Sequence, residues 1–237
     1  MILDEIVEHT KKQLAETKTN RFNALFDNQK CVLLCELKMK SPSHPSSFIE
    51  NIDSVLNDYA SAEVDAISVV TDQEYFGGDL SMVQKARGSN LPVLRKDFIV
   101  EARQITEVQT DAILLIARIV NPETLMELVE ICLKLNIEPV VEIHDETDLE
   151  RALDSGANTI AVNARDLQTQ KIDQSKALEL LARIPQNRTK LLFSGITSPE
   201  DIHNAREHGA QGVLVGTAAL EATNRVQFAR SLKEACA

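Results

Sequence analysis

Five polar side chains stand at or just after the ends of short aliphatic runs in this sequence. They are Glu36, Lys38, Lys96, Glu142 and Asn163. Ammonium and carboxyl groups that face one another can donate and accept protons, which is the chemistry of general acid–base catalysis. Burying four ionisable groups among aliphatic residues is costly. We therefore interpret them as a candidate catalytic cluster, and the alternative is an inert ring of salt bridges.

Two pairs of small residues follow the last two aliphatic runs. Ser194-Gly195 comes after the first of these runs and Gly216-Thr217 after the second. Small residues let backbone N–H groups approach an anion closely, usually at the N-terminus of a short helix. Either pair alone is typical of an ordinary loop, but the two together predict a phosphate-binding site.

The aliphatic runs that must position these residues are short, continuous and evenly spaced. Continuous apolar runs are typical of strands that are buried on both faces of a parallel sheet. Residues two apart on a strand point to the same side, so Glu36 and Lys38 share one face. Cys35 and Leu37 then face the other way. The eight predicted strands are Val32–Leu37, Ala66–Thr71, Val93–Arg95, Ala112–Ala117, Pro139–Ile143, Thr159–Val162, Lys190–Phe193 and Gly212–Val215.

Segments with helical periodicity alternate with these strands. Asn121-Pro122 and Ser198-Pro199 each supply a capping side chain followed by proline at the first helical position. An amphipathic pattern also predicts a helix over residues 3–18, before the first strand. The other helices are predicted over 50–62, 79–88, 101–109, 121–136, 145–155, 173–184, 198–208 and 224–235.

Eight β–α units predict one α/β domain over residues 1–237, folded as a (β/α)8 TIM barrel with residues 1–30 as an N-terminal helical extension. The alternative is a doubly wound parallel sheet. Even spacing of the strands favours the barrel, as does the lack of a glycine-rich dinucleotide turn after the first strand. The carboxyl ends of barrel strands share one mouth, so the candidate residues should meet there.

Charge and composition narrow the range of partners. The chain has 25 basic and 36 acidic residues, and its net charge of −11 repels the phosphate backbone of nucleic acids. No apolar run approaches the ~18 residues of a membrane span, and the N-terminal residues lack the layout of a secretion signal. The four cysteines lack metal-binding spacing, so we expect buried thiols and no metal site. We expect a cytoplasmic protein without nucleic-acid or membrane partners.

Longer motifs around the candidate residues resemble those of the indole-3-glycerol phosphate synthase family. The resemblance covers nearly the whole chain, including the predicted N-terminal helix, and the motif after the third strand is the most specific. The motifs are ELKMKSPS at 36–43, YFGG at 75–78, KDFIV at 96–100, EPVVE at 138–142 and NARDL at 163–167.

The resemblance implies a carboxy-lyase of tryptophan biosynthesis. Enzymes of this family convert 1-(2-carboxyphenylamino)-1-deoxyribulose 5-phosphate to indole-3-glycerol phosphate, and carbon dioxide and water leave. They use no cofactor and no metal. The resemblance therefore implies a small phosphorylated substrate, and we expect a monomer.

The resemblance also implies a role for each residue of the cluster. Lys96 is the implied general acid, which protonates the substrate carbonyl as the ring carbon attacks. Glu142 is the implied base of the dehydration, and Lys38 holds the carboxylate and assists the acid steps. Glu36 and Asn163 are expected to orient the sugar hydroxyls.

Further residues are implied to bind the substrate. Arg165 is expected near the carboxylate of the anthranilate ring, and Ser41 is expected to help from the loop after the first strand. The apolar slot for the ring is expected to consist of Phe76, Phe98, Leu114 and Leu167. The residues expected to hold the phosphate are Ser194, Gly195, Gly216 and Thr217.

The sequence departs from the usual pattern of the family in three places. Phe193 stands where the family usually has Glu, His44-Pro45 replaces a usual Lys-Gly, and the turn at 108–111 is shorter than usual. Because Phe193 stands in place of this Glu, an alternative function stays open. The chain would then be a paralogue with low or no activity that binds a phosphorylated ligand.

The residues at the ends of two strands exclude a neighbouring barrel family, phosphoribosylanthranilate isomerase. It uses Cys at the end of the first strand and Asp at the end of the sixth. This sequence has Glu36-Leu37-Lys38 and Asn163 at those ends.

Overall fold

Eight parallel strands close into a barrel in the order in which they occur along the chain. The computed structural model describes residues 20–27, 30–42 and 44–237. Helices alternate with the strands, which confirms the predicted (β/α)8 barrel. The predicted helix over residues 3–18 lies outside the described residues.

All eight predicted strands are present, and each bound lies within one residue of its prediction. The strands were predictable because their residues are buried on both faces, which leaves uninterrupted aliphatic runs. The strands are β1 Val32–Leu37, β2 Ala66–Val70, β3 Val93–Lys96, β4 Ala112–Ile116, β5 Glu138–Ile143, β6 Thr159–Asn163, β7 Thr189–Phe193 and β8 Gly212–Val215.

The helices follow the prediction except at two places. Asn121 and Ser198 cap their helices with side-chain oxygens, as their sequence signals predict. The helices are α1 Ile52–Ser61, α2 Leu80–Arg87, α3 Ala102–Ile105, α4 Pro122–Lys134, α5 Glu146–Asp154, α6 Gln174–Arg183, α7 Pro199–Glu207, α8 Thr217–Glu221 and α9 Arg225–Ala235. Short 3-10 turns are present at Asn23–Phe26 and Ala117–Ile119.

The two differences concern α3 and α8. Helix α3 is far shorter than the predicted 101–109, because the buried Arg95 donates a hydrogen bond to the Gln104 carbonyl. In a longer helix that carbonyl would accept from residue 108. Helix α8 was not predicted, since five residues are too few to establish a helical period.

Alternation along the strands sorts the buried side chains into an inner and an outer core. Leu34, Val140 and Leu191 belong to the cluster inside the barrel. Cys35 and Leu37 belong to the cluster between barrel and helices, which confirms that they face away from the interior. All four cysteines are buried free thiols. Among the described residues, no helix has both the length and the apolar character needed to cross a membrane.

The end of the barrel opposite the mouth contains a buried carboxyl group. Glu138 is 2% exposed. Its Oε1 accepts a hydrogen bond from Thr159 Oγ1 at 2.6 Å, and its Oε2 accepts one from Asn23 Nδ2 at 2.7 Å. Burial raises the pKa of Glu138, and these two hydrogen bonds offset the effect only in part.

Replacing this carboxyl group should change how the stability of the fold depends on pH. The pKa of Glu138 is higher in the folded than in the unfolded chain. At a pH between these two pKa values, the folded chain therefore holds a proton that the unfolded chain has released. The free energy of unfolding therefore falls as the pH rises from the ordinary glutamate value of 4.5 through the folded pKa. The Glu138→Gln variant should not show this decrease in the free energy of unfolding. The Tm of the variant minus the Tm of the native chain should therefore increase from acid to neutral pH.

Thermal melts across this pH range measure the effect. Glu127→Gln, on the exposed face of α4, controls for the loss of one negative charge. A Tm difference between Glu138→Gln and the native chain that stays constant with pH would contradict the prediction.

Candidate active site

The fifteen candidate residues line two adjoining cavities at the mouth of the barrel. One cavity is about 150 Å³ and the other about 40 Å³, and they share Phe76, Lys96 and Leu167 as walls. The sequence thus identified residues that meet in space. Residues of the larger cavity include Glu36, Lys38, Ser41, Asn163, Arg165, Ser194, Gly195, Gly216 and Thr217. The smaller cavity adds Phe98, Leu114 and Glu142.

A buried ion pair lies at the centre of the mouth. Lys38 Nζ is 2.9 Å from Glu36 Oε1 and donates a hydrogen bond to Thr217 Oγ1, also at 2.9 Å. Burial alone would raise the pKa of Glu36, but the positive charges of Lys38, Lys96 and Arg165 outweigh burial and lower it. Glu36 is therefore a carboxylate and can accept hydrogen bonds from a ligand.

Gly216 is required by this ion pair. A Cβ atom at Gly216 would lie 2.5 Å from Glu36 Oε1 and 3.3 Å from Lys38 Nζ. The contact with Glu36 makes this a requirement of space. The sequence predicted this glycine for phosphate binding alone, because the approach of Glu36 depends on the tertiary structure.

The second predicted pair of small residues forms the adjoining wall. Ser194 and Gly195 both have left-handed backbone conformations, with φ of 67° and 81°. Gln174, at the start of α6, donates from Nε2 to the Gly195 carbonyl at 3.2 Å. The sequence analysis missed Gln174 because, at the first position of a helix, it carries no chemical signal of its own.

Apolar side chains form the walls of the smaller cavity. The rings of Phe76 and Phe98 have centroids 6.3 Å apart, and Leu114 is buried. The smaller cavity is also lined by Lys96 and Glu142, which makes it an apolar slot with a cation and a carboxylate on its walls.

Arg165 and Asn163 are held together at the edge of the larger cavity. Asn163 Oδ1 accepts a hydrogen bond from the Arg165 backbone N–H at 3.0 Å. The Arg165 guanidinium donates from Nη1 to the Gln170 carbonyl at 2.9 Å. Both side chains are therefore fixed by the loop after β6.

The loop after β1 bends over the mouth. Ser41 is buried, and its backbone pairs with that of His44. His44 Nε2 is 3.2 Å from Glu221 Oε1 on α8, and the Phe48 ring centroid is 5.4 Å from Lys38 Nζ. The loop thus contacts both the ion pair and the helix that begins at Thr217.

Phe193 is the last inward residue of β7, as its alternation predicts. It is 1% exposed and belongs to the inner core. In the strand register it lies beside Asn163 on one side and Leu214 on the other. Phe193 therefore adds an apolar wall to the larger cavity, next to a polar candidate residue.

A buried arginine behind Lys96 supports the site and was missed in the sequence. Arg95 is 2% exposed, with Nη2 2.9 Å from Asp97 Oδ2 and 2.9 Å from Glu107 Oε2. Its Nε donates to Thr71 Oγ1 at 3.2 Å. These contacts fix the chain on both sides of Lys96. An arginine inside an aliphatic strand is the signal that could have identified it.

Within residues 20–27, 30–42 and 44–237, no group of three or more His, Cys, Asp or Glu side chains is arranged to hold a metal ion.

Sequence comparison relates nearly the whole chain to one family. A family model described as indole-3-glycerol phosphate synthase matches residues 3–232. The chain is 35% identical to the indole-3-glycerol phosphate synthase of Acetivibrio thermocellus, over 98% of this chain and 99% of that protein. It is 36% identical to the enzyme of the same name from Thermoanaerobacter sp., over 91% of each.

Structural comparison extends the likeness of the fold to more distant barrels. The 3-hexulose-6-phosphate synthase of Salmonella typhimurium superposes with a TM-score of 0.70 over 86% of this chain and 98% of that one, at 16% identity. At this identity the likeness shows the fold alone.

The steric argument at Gly216 predicts the effect of a single methyl group. Gly216→Ala places Cβ against Glu36 Oε1 and should separate the buried ion pair. We expect a loss of about 1–3 kcal/mol in the free energy of unfolding, the usual cost of overpacking. Chemical denaturation measures it, with Gly88→Ala at the exposed end of α2 as the control. A Gly216→Ala chain as stable as the native one would contradict the argument.

Proposed function

The chain belongs to the indole-3-glycerol phosphate synthase family, and we propose that the residues at its barrel mouth carry out the reaction of that family. The enzyme is a carboxy-lyase of tryptophan biosynthesis, and its substrate is a phosphorylated small molecule. One observation carries the assignment of roles. Lys96 and Glu142 lie on the walls of one apolar slot, beside the Glu36–Lys38 pair.

The reaction needs an acid and a base at adjacent positions. The ring carbon that bears the carboxylate attacks the ketone, and the carbonyl oxygen takes up a proton. Carbon dioxide then leaves, which restores the aromatic ring. In the dehydration, the new hydroxyl group leaves as water while the neighbouring methylene carbon loses a proton. Each proton transfer of this kind contributes roughly 10²–10⁴ in rate.

Lys96 is the proposed general acid. Its side chain lines both cavities, so it reaches the junction between an aromatic ring in the slot and a sugar in the larger cavity. Arg95 and its partners hold the backbone on either side of Lys96. An ammonium group at this junction can donate a proton to the ketone oxygen and, after it takes up another proton from solvent, a second one to the departing hydroxyl.

The Glu36–Lys38 pair and Asn163 are the proposed orienting groups. Lys38 supplies a positive charge for the substrate carboxylate, with Arg165 at the edge of the same cavity. The lowered pKa of Glu36, which Lys38, Lys96 and Arg165 cause against the effect of burial, keeps it an acceptor for a sugar hydroxyl. Asn163 accepts from the Arg165 backbone, so its amide NH₂ group remains to donate to another hydroxyl.

Glu142 is the proposed base of the dehydration. It is 1% exposed, and its Oε2 has no hydrogen-bond partner among the described residues. A carboxylate oxygen that accepts no hydrogen bond is free to accept a proton. The apolar walls of the slot exclude water that would otherwise compete for the carboxylate.

The phosphate end of the substrate is assigned to the other side of the mouth. Ser194, Gly195, Gly216 and Thr217 line the larger cavity, with Ser41 in the loop above them. The left-handed conformations of Ser194 and Gly195 turn the backbone there, and Gln174 holds that turn in place. We also propose a cytoplasmic monomer without nucleic-acid or membrane partners. The buried free thiols support the location and the net charge of −11 supports the absence of nucleic acid.

Removing the proposed acid should abolish most of the activity without loss of the fold. Lys96→Met keeps the length and apolar stem of the side chain but cannot donate a proton. We expect kcat to fall by about 10² or more, while the substrate still raises the Tm of the variant. Indole fluorescence measures the rate, and Lys134→Met on an exposed turn of α4 is the control. Equal kcat values for Lys96→Met and the native enzyme would refute the role.

Sulfate tests the proposed phosphate site. A ligand that binds only the folded chain raises Tm, so sulfate should protect the native enzyme against heat. Thr217→Val keeps the side-chain shape but removes the hydroxyl group, and it should reduce the shift. Thr106→Val, at an exposed position after α3, should show the full shift. A full sulfate shift in Thr217→Val would contradict a role for the hydroxyl group.

A further inference from the structure

His144 is a buried titratable residue that the proposed mechanism does not use. It follows β5, and its side chain is 5% exposed. Neither ring nitrogen has a hydrogen-bond partner among the described residues. The ring lies between two carboxylates, with Nε2 3.5 Å from Glu142 Oε1 and Nδ1 3.8 Å from Asp148 Oδ2. The ring thus connects the proposed base to a second acidic group.

The two sides of this ring face different surroundings. On one side is Glu142 in the apolar slot. On the other is a surface cavity of about 390 Å³, which His144 lines together with exposed polar side chains. The titratable and charged groups that face the ring or this cavity are Glu142, Arg118, Asp145, Asp148, Asp166, Lys171, Asp173 and Lys176.

The proton that Glu142 takes up in the proposed mechanism needs a route out of the site. Glu142 takes a proton from the substrate in each turnover and must lose it before the next. Most side chains that line the slot around Glu142 are apolar, and Lys96 and Asp97 are the other charged ones. A histidine between a buried carboxyl group and a polar cavity is suited to carry the proton, because an imidazole ring can both accept and donate one.

We propose that His144 relays the proton from Glu142 to the polar cavity after each turnover; the inference rests on the proposed role of Glu142 as base. The neutral ring accepts the proton at Nε2, which leaves Glu142 as a carboxylate and His144 as an imidazolium. The imidazolium then turns toward the cavity, releases the same proton from Nε2 to water, and returns as the neutral ring with Nε2 ready to accept again. The 3.5 Å separation must shorten by about half an ångström for the transfer.

Asp148 and Arg118 fix the backbone of His144 and place a negative charge beside its ring. Asp148 Oδ2 accepts from the His144 backbone N–H at 2.9 Å and from Arg118 Nε at 2.8 Å. Burial alone would raise the pKa of Asp148, but His144 and Arg118 outweigh burial and lower it. Asp148 therefore stays negative and stabilises the imidazolium. Because His144 acts through Glu142 and does not contact the substrate, it is a positioning residue.

A comparison of single and repeated turnovers tests the relay. In a single turnover with enzyme in excess, Glu142 accepts one proton and need not lose it. Repeated turnover requires the exit. His144→Gln should therefore leave the single-turnover rate of indole formation unchanged, and it should lower kcat by about tenfold or more, toward the range of other acid–base groups. His203→Gln, the same change on an exposed face of α7, should alter neither rate.

Two other outcomes overturn the relay. If both rates fall together in His144→Gln, the ring has a purely structural role. If neither rate falls, the proton leaves by another route. Circular dichroism confirms that the variant is folded.

Chemical rescue gives a second measurement. His144→Ala opens a hole next to the polar cavity, and imidazole in the buffer should restore kcat in a saturable manner. Pyrazole has the same size but is a far weaker base, so it should not restore kcat. Equal restoration by both compounds, or by neither, would overturn the relay.

Glu142→Gln separates this inference from the proposed function. Its single-turnover rate should fall together with kcat, because the base itself is lost. If Glu142→Gln keeps both rates, the proposed base is wrong and the relay fails with it. If Glu142→Gln loses both rates while His144→Gln keeps both, only the relay fails.

Discussion

Strands β1 and β8 pair in parallel, with Leu34 beside Leu214 and Cys35 beside Val215. This one pairing closes the barrel and also assembles the mouth, because the chain that continues from β8 then passes directly by the end of β1. Gly216 lies against the Glu36 carboxylate as a result. The Glu36–Lys38 ion pair at the end of β1 and the start of α8 after β8 thus lie side by side in one site. A slip in this pairing would separate the acid–base residues from the proposed phosphate site.

Two glutamates on β5 show how position within the barrel decides what a buried carboxyl group does. Glu138 and Glu142 lie on the same face of the strand, four residues apart, and both are almost fully buried. Glu138 accepts hydrogen bonds on both oxygens, from Thr159 and Asn23. Glu142 Oε2 has no partner among the described residues. Unsatisfied polar groups cost stability, and this cost falls at the mouth, where the proposed base needs an oxygen that can accept a proton.

The sequence predicted the parts of this structure that local patterns determine. Strand bounds follow from aliphatic runs, and the residues at the strand ends were identified because barrel strands share one mouth. Contacts between distant segments left no such pattern. Helix α3 ends early because Arg95 donates a hydrogen bond to a carbonyl of its last turn. The space that Gly216 leaves for Glu36 depends on the strand register. His144 lies directly before the predicted helix over 145–155 and carries no signal of its own, since a sequence does not show which side chains will surround a ring.

The apolar wall at Phe193 also shapes the charge of the mouth. Three cations, Lys38, Lys96 and Arg165, lie there with three carboxylates, Glu36, Glu142 and Asp97, and Asp97 is paired with the buried Arg95. Apart from the Asp97–Arg95 pair, the family's usual glutamate in place of Phe193 would make these charges equal. With phenylalanine the mouth keeps a positive excess, although the chain as a whole carries −11. The substrate bears a carboxylate and a phosphate, and a local positive field draws such an anion toward a cleft against the repulsion of the remaining surface. Phe193 therefore strengthens attraction for the substrate at the same place where it removes an acceptor of hydrogen bonds.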